Sequence, residues 1–243
     1  DNTLGTQILD EAFRHTGAPK EGDYLQRHYG GCVIGGSYIP GNECYYTFTY
    51  SINYYTSAQQ EAEVDTAVAA LLDQLNVWDK NDYEKVKAVY DYICHNVTYD
   101  HDGLAEYNAG SKDYTPFSAW KALIKGTSVC QGYANLFYRL MLELGVDCRV
   151  IVGTGNGGAH AWNIVKLGGA VGVIIEDVHL PVGSPGDLME GHNVGALFQT
   201  VEDDHLGTHH LVHAEVAHIG VIGLESGGIG KHDLLGNHPV HRQ

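Results

Sequence analysis

Basic residues are scarce in this chain. Lysine and arginine together number 14 against 30 aspartates and glutamates in 243 residues, a formal charge of −16. A surface that acidic repels phosphate backbones and anionic lipid, so no nucleic-acid partner is expected. Long hydrophobic runs are missing too. Nothing approaches the roughly 18 consecutive apolar residues of a spanning helix, and no membrane insertion is expected. The opening Asp1-Asn2-Thr3 carries neither Met nor a basic-then-apolar leader, which reads as a processed or cut piece of something longer. The five cysteines (Cys32, Cys44, Cys94, Cys130, Cys148) include no C-x-x-C pair. That spacing argues against a zinc site and against a dense disulfide scaffold. No metal and no cofactor is expected, and an odd cysteine is compatible with a working thiol.

What is present divides into three zones. Hydrophobic residues make up 44% and charged residues 18%, enough for a packed core without disulfides. Residues 1–56 are rich in Tyr and Gly. Within them Tyr45 to Tyr55 has the aromatic and β-branched content of strand, and the Gly30-Gly31 and Gly35-Gly36 pairs mark turns, so this zone reads as an N-terminal β-rich appendage.

Residues 57–180 read as the core. Ser57 with Gln60, and Asn81 with Glu84, are capping boxes. The first opens a helix with Val64, Ala67, Val68, Leu71, Leu72 and Leu75 on one face; the second opens one with Val86, Val89, Tyr90, Ile93 and Val97. Residues 98–116 read as a long loop, and Phe117 to Lys125 as a short helix closed by Gly126. A helix then starts at Cys130, lined by Ala134, Phe137, Leu140, Met141 and Leu144. Cys148 to Val152 and Ala161 to Leu167 read as strands around a loop at Gly153 to Ala159.

Residues 181–243 form an atypical Gly- and His-rich tail. The composition changes near residue 170: all 16 tyrosines lie at or before Tyr138, while ten of 15 histidines follow the break. No long periodic segment survives there, which predicts disorder or a tail read out of its original frame. His209, His210 and His213 invite a metal reading, but histidines four apart share a face only on a helix, and nothing in the tail supports one.

The chemistry concentrates at Gly126-Thr127-Ser128-Val129-Cys130-Gln131-Gly132-Tyr133-Ala134. A cysteine in the first helical turn meets free backbone N–H groups and the positive dipole end, which favour a thiolate. The same N–H groups suit the oxyanion formed when sulfur attacks an amide. Gly132 is expected to leave room for substrate. Thirty residues on, His160 in Gly157-Gly158-Ala159-His160-Ala161-Trp162-Asn163 opens a strand, which holds an imidazole in one orientation. Cysteine on a helix end followed by histidine on a strand is the order of Cys–His nucleophilic catalysis. If Gly168-Gly169 is a two-residue turn, paired residue numbers sum to 337 and Asp177 falls opposite His160 on the same face.

These residues resemble the transglutaminase-like superfamily. The resemblance rests on Tyr83 to Val97 with Tyr99, Ala119-Trp120-Lys121-Ala122-Leu123, Gly126-x-x-x-Cys130-x-Gly132-Tyr133-Ala134 and His160-Ala161-Trp162-Asn163, and covers roughly residues 57 to 169. It implies an α+β papain-like core, with the nucleophile's helix packed on an antiparallel sheet. It also implies a Cys130–His160–Asp177 triad working through a thioester on peptide amides. Tyr45 to Leu75 is similar to the lead-in of secreted bacterial members, which implies an extracellular or cell-surface setting and protein or cell-wall peptide substrates. Members usually carry an aromatic strand after the turn and an Asp about fifteen residues after the His; here position 175 is Ile and those aromatics are missing. The expected function is thiol-dependent acyl transfer, as protease, amidase or transglutaminase. A peptide N-glycanase-like amidase ranks lower because its zinc cysteines are missing. The non-enzyme alternative is an inactive binding or scaffolding module on the same fold.

Overall fold

The computed structural model of the protein describes residues 2–40, 45–155, 158–167, 170–174 and 199–201. The chain opens with α1 (Asn2–Ala12) and a short α2 (Asp23–Gln26), then runs out and back as β1 (Tyr29–Ile39) and β2 (Tyr45–Tyr54). Two longer helices follow, α3 (Ala58–Leu75) and α4 (Asp82–Asn96). Both begin where the local chemistry dictates. Ser57 accepts from the amide of Gln60 while the Gln60 side chain accepts from that of Ser57, and Asn81 and Glu84 repeat the exchange. The buried faces, Val64, Val68, Leu71 and Leu72 on α3 and Val86, Val89 and Ile93 on α4, fall at helical spacing.

The short strands β3 (Thr98–Tyr99) and β4 (Thr127–Ser128) pair in parallel, with α5 (His101–Asn108) between them in sequence. The central helix α6 (Cys130–Glu143) then leads to β5 (Cys148–Gly155), β6 (Gly158–Leu167), β7 (Ala170–Ile174) and β8 (Gln199–Val201). These form one antiparallel sheet in the order β5-β6-β7-β8. Every residue of α6 from Gly132 to Leu142 is buried, because α4 packs on one side and the β5–β6 ribbon on another. Burial alternates along β6, where Ala161, Asn163 and Val165 are enclosed, the period expected of a strand with one covered face.

Three local expectations change. The stretch 98–116 is not a bare loop, since the eight residues of α5 lie within it. Its start is fixed by Asp100, whose carboxylate accepts from the amide of Gly103 at 2.9 Å. A Cβ at Gly103 would crowd the capping carboxylate of Asp100 and lie 2.8 Å from Cγ of Pro116, so only glycine fits between the cap and that proline. The expected loop at 153–159 is largely strand, with Gly153 paired to His160 and Gly155 to Gly158. Within the expected β-rich zone the hairpin is present, but α1 and α2 precede it. α2 is tied to the core by Asp23, whose buried carboxylate takes Nε and Nη2 of Arg149 at 2.7 and 2.8 Å and the amide of Val150 at 2.9 Å. The tail 181–243 lies outside the described residues apart from the three of β8.

Candidate active site

Cys130 occupies the first helical position of α6, with Val129 as an extended N-cap that offers no side-chain bond. The first-turn amides therefore have no intrahelical acceptor. Those of Cys130 and Gln131 turn to the sulfur, joined by the amide of Ala161 and the hydroxyl of Tyr99. Four donors thus converge on one sulfur, drawn from a helix mouth, the β6 strand and the end of β3.

The sequence motif explains how the helix mouth is held. Pairing of Tyr99 with Ser128 sets the Tyr99 residue against the segment leading into Cys130. Tyr133 donates its hydroxyl to Val97 O at 2.9 Å. Gln131 Nε2 donates to Arg27 O at 2.6 Å, and Asn135 Nδ2 donates to Phe117 O at 3.1 Å and Arg27 O at 3.3 Å. Gly132 serves packing rather than substrate access, contrary to expectation. A Cβ there would stand 1.8 Å from Ser128 Oγ and 2.9 Å from Ser118 O, so only glycine lets the chain before the nucleophile approach its helix. Ser128 Oγ in turn donates to Pro116 O at 2.6 Å. His28 adds a tie that sequence reasoning did not flag. It is buried, bonds Tyr24 O through Nδ1 at 2.6 Å, and accepts the Ala119 amide on Nε2 at 3.0 Å. Burial lowers its pKa, and the pattern fixes one neutral tautomer.

On the sheet side, His160 directly precedes the residue whose N–H meets the sulfur. Its ring stacks on Trp162, two residues on and on the same face, with centroids 5.7 Å apart, and its Nε2 is buried. The intervening Ala161 and the following Asn163 face α6. Asn163 Nδ2 donates to Ala134 O at 3.0 Å and to Arg149 O at 3.3 Å, clamping β6 to the first turns of the nucleophile's helix.

The electrostatics depart from expectation in one respect. Burial pushes the Cys130 thiol above its ordinary value, and the four donors, which pull the other way, do not offset it. The helix end alone does not create a standing thiolate here. Desolvation of a charged sulfur wins until a proton acceptor or substrate alters the balance.

Comparison with known proteins places this geometry. Residues 69–172 match the transglutaminase-like superfamily. The chain is 29% identical over 125 residues to kyphoscoliosis peptidase of Mus musculus, covering 46% of this chain and 18% of that protein. It is 30% identical over 128 residues to the Homo sapiens protein of the same name, covering 48% and 18%. The chain therefore spans less than a fifth of the length of these curated relatives. A crystal structure of a TGase aligns at 18% identity and a TM-score of 0.45, covering 63% of this chain and 46% of that one.

Residues 69–172 belong to the transglutaminase-like superfamily. The transglutaminase-like core is thus an α+β fold of papain-like type, with the helix of Cys130 laid on an antiparallel sheet, and a papain-like thiol enzyme is the general class to which it points. The family match ends within two residues of the composition break. In the sheet, β6 and β7 pair from Leu167–Ala170 to Asn163–Ile174, every pair summing to 337. Asp177, the expected partner of His160 in that register, lies outside the described residues. So do His209, His210 and His213. Among the described residues no group of three or more His, Cys, Asp or Glu could hold a metal ion, and no helix is long and apolar enough to cross a membrane.

Proposed function

We propose that the protein is a thiol acyl-transfer enzyme acting on peptide or protein amides, with Cys130 as nucleophile, His160 as general base and then acid, and Asp177 orienting the imidazole. The observation that carries this reading is the convergence of the Cys130, Gln131 and Ala161 amides and the Tyr99 hydroxyl on the sulfur, next to the residue that bears the imidazole. In the first step sulfur bonds to the amide carbon as its proton passes to His160. The carbonyl electrons move onto oxygen, and donors now at the sulfur stabilise the charge that develops beside it. Collapse of that intermediate breaks the C–N bond, His160 returns the proton to the departing amine, and a thioester remains on Cys130. Water then completes hydrolysis, or an amine completes a crosslink. The peptidase name of the two animal relatives favours water. Because burial raises the thiol, removal of its proton by His160 during attack suits this site better than a standing ion pair. Protein or cell-wall peptide substrates, and a setting outside a bacterial cell, belong to the same proposal.

The raised thiol is also the observation that favours the second reading, an inactive binding or scaffolding module. Acetyl transfer from p-nitrophenyl acetate separates the two. Acetylation of Cys130, followed by mass of its peptide at neutral pH, is expected to fall by about 10²-fold or more in His160→Ala. In that variant the rate should recover only as pH rises beyond the ordinary thiol value of about 8.5, since a raised pKa delays ionisation. Equal rates in the wild type and His160→Ala at neutral pH would favour the inactive module.

A further inference from the structure

His28 and the residue before it hold two segments that meet at the mouth of α6. The main-chain carbonyl of Arg27 accepts from Gln131 Nε2 at 2.6 Å and from Asn135 Nδ2 at 3.3 Å, so it is fixed to the first turns of the nucleophile's helix. The ring of His28 reaches the other segment, 117–119, and accepts the Ala119 amide on Nε2 at 3.0 Å. Asn135 closes the triangle by donating to Phe117 O at 3.1 Å. The main chain of His28 is itself held, its amide donating to Leu25 O at 3.1 Å and its carbonyl accepting from the Tyr55 amide at 2.7 Å. Two adjacent residues thus join the end of α2, the segment 117–119 and α6.

The joint works for one protonation state. Tyr24 O can only accept, so Nδ1, 2.6 Å away, carries the hydrogen of the neutral ring. Nε2 must then stay bare to accept the Ala119 amide. A second proton would set N–H against N–H inside the protein, where His28 is 2% exposed and Ala119 0%. The amide and the new N–H would both lack an acceptor there. Among the described residues, the charged groups that face the ring are Glu61 and Arg139. Glu61 on α3 accepts from the Tyr24 hydroxyl at 2.9 Å and favours the cation. Arg139 on α6, paired with Asp65 at 3.0 Å and 5.8 Å from the Tyr24 ring, opposes it. Tyr24 lies against the imidazole with centroids 4.1 Å apart, and Tyr55 stands at 6.4 Å. Burial is the largest influence, and the balance lies with the neutral ring. We infer that His28 is a proton-sensitive positioning residue: neutral, it holds the segment 117–119 against the mouth of α6, and protonated, it releases that segment and lowers acyl transfer at Cys130. The effect on transfer rests on the acyl-transfer reading and adds its regulation by acid.

When the joint opens, the ring returns to the ordinary imidazole pKa of about 6.5. The joint is therefore fully favoured above about pH 6.5 and weakens as pH falls toward the lowered value of the closed form. Hydrogen exchange reads the opening. Corrected for the intrinsic pH dependence of exchange, the amides of 117–121 should exchange about tenfold faster at about pH 5.5 than at about pH 7.5, while those of α4 in the same digest should not. His28→Gln offers an amide oxygen to Ala119 but takes no proton in this range, so its corrected rates should match at the two pH values. Acetyl transfer from p-nitrophenyl acetate to Cys130, with each protein normalised to its own rate at about pH 7.5, should fall further in acid in the wild type than in His28→Gln. Both proteins carry Cys130 and His160, so acid loss due to that pair divides out. No acid excess at 117–121, an excess shared by α4, or the same excess in His28→Gln overturns the joint. Superimposable normalised transfer profiles overturn its control of the site. If His28→Gln does not fold, the wild-type excess is compared with deuterium uptake at the ring C2 of His28, and midpoints that disagree overturn the proposal. An intact exchange response with no acetyl transfer at any pH would remove the enzyme reading and leave the joint standing.

Discussion

Two antiparallel ribbons of similar length stand in this molecule, and they are treated oppositely. The β5–β6 ribbon lies on α6 and buries every second residue of β6 from Ala161 to Val165. The β1–β2 hairpin is covered only in part, by α1. Tyr50 donates to Gly5 O at 2.8 Å, and a Cβ on Gly5 would stand 3.0 Å from Ile34. Val33 is 72% exposed, Ile39 63% and Tyr45 60%. Both ribbons carry β-forming sequence. What distinguishes them is the extent of the opposing helix: α6 backs the ribbon that carries His160, whereas α1 meets only part of the hairpin. A base on a strand is useful only if that strand is fixed relative to the nucleophile, and the packed ribbon supplies the fixing.

The strongest way to break this contrast is through the helix under the packed ribbon. Phe137 is fully buried in α6. Phe137→Ala should cost about 3–5 kcal/mol, from lost burial and the cavity left behind, and urea unfolding would measure it. A loss below about 1 kcal/mol would mean that α6 is not the centre of the core. A smaller effect is expected at the joint between ribbon and helix. Asn163→Ala removes the donor that Ala134 O and Arg149 O share, and should cost about 1–3 kcal/mol, because it leaves buried carbonyl oxygen without that bond. If Asn163→Ala melts with the wild type, the clamp contributes nothing and the positioning of His160 must come from apolar packing alone.

The same contrast shows what the sequence can and cannot reveal. α3 and α4 were legible because their signals are local: a capping box lies within four residues, and an apolar face repeats every turn. Cys130 and His160 stood out because a thiol at a helix start and an imidazole at a strand start each have a local signature. The β6–β7 register followed from the length of one turn. α5 was missed although its cap, Asp100 on the Gly103 amide, is local; the close approach of Gly103 to Pro116, thirteen positions away, was not legible. The purpose of Gly132 was misread for the same reason, the neighbour that demands glycine being Ser128 and Ser118 across a turn. The raised thiol was hidden too. Helix-end stabilisation can be read from position, but desolvation depends on what the rest of the chain brings over the sulfur. Tyr99 entered only through family resemblance, and it carries no spacing that would single it out before β3 and α6 are seen together.

The smallest expected effect belongs to the exposed hairpin, and it is the sharpest test of whether that ribbon is as bare in solution as it is here. Tyr46 faces Tyr38 across the two strands, with ring centroids 4.8 Å apart, and is 54% exposed. The tyrosine pair contributes about 0.2–1 kcal/mol as a cross-strand contact, and little further burial is at stake. Tyr46→Ser should therefore lower stability by no more than about 1 kcal/mol, several times less than Phe137→Ala, under the same urea titration and at low protein concentration. A larger loss would mean that the face carrying Tyr46 is covered in solution. Repeating the titration across a hundredfold range of protein concentration would then tell a second copy of the chain, whose contribution grows with concentration, from a covering segment of the same chain, whose contribution does not.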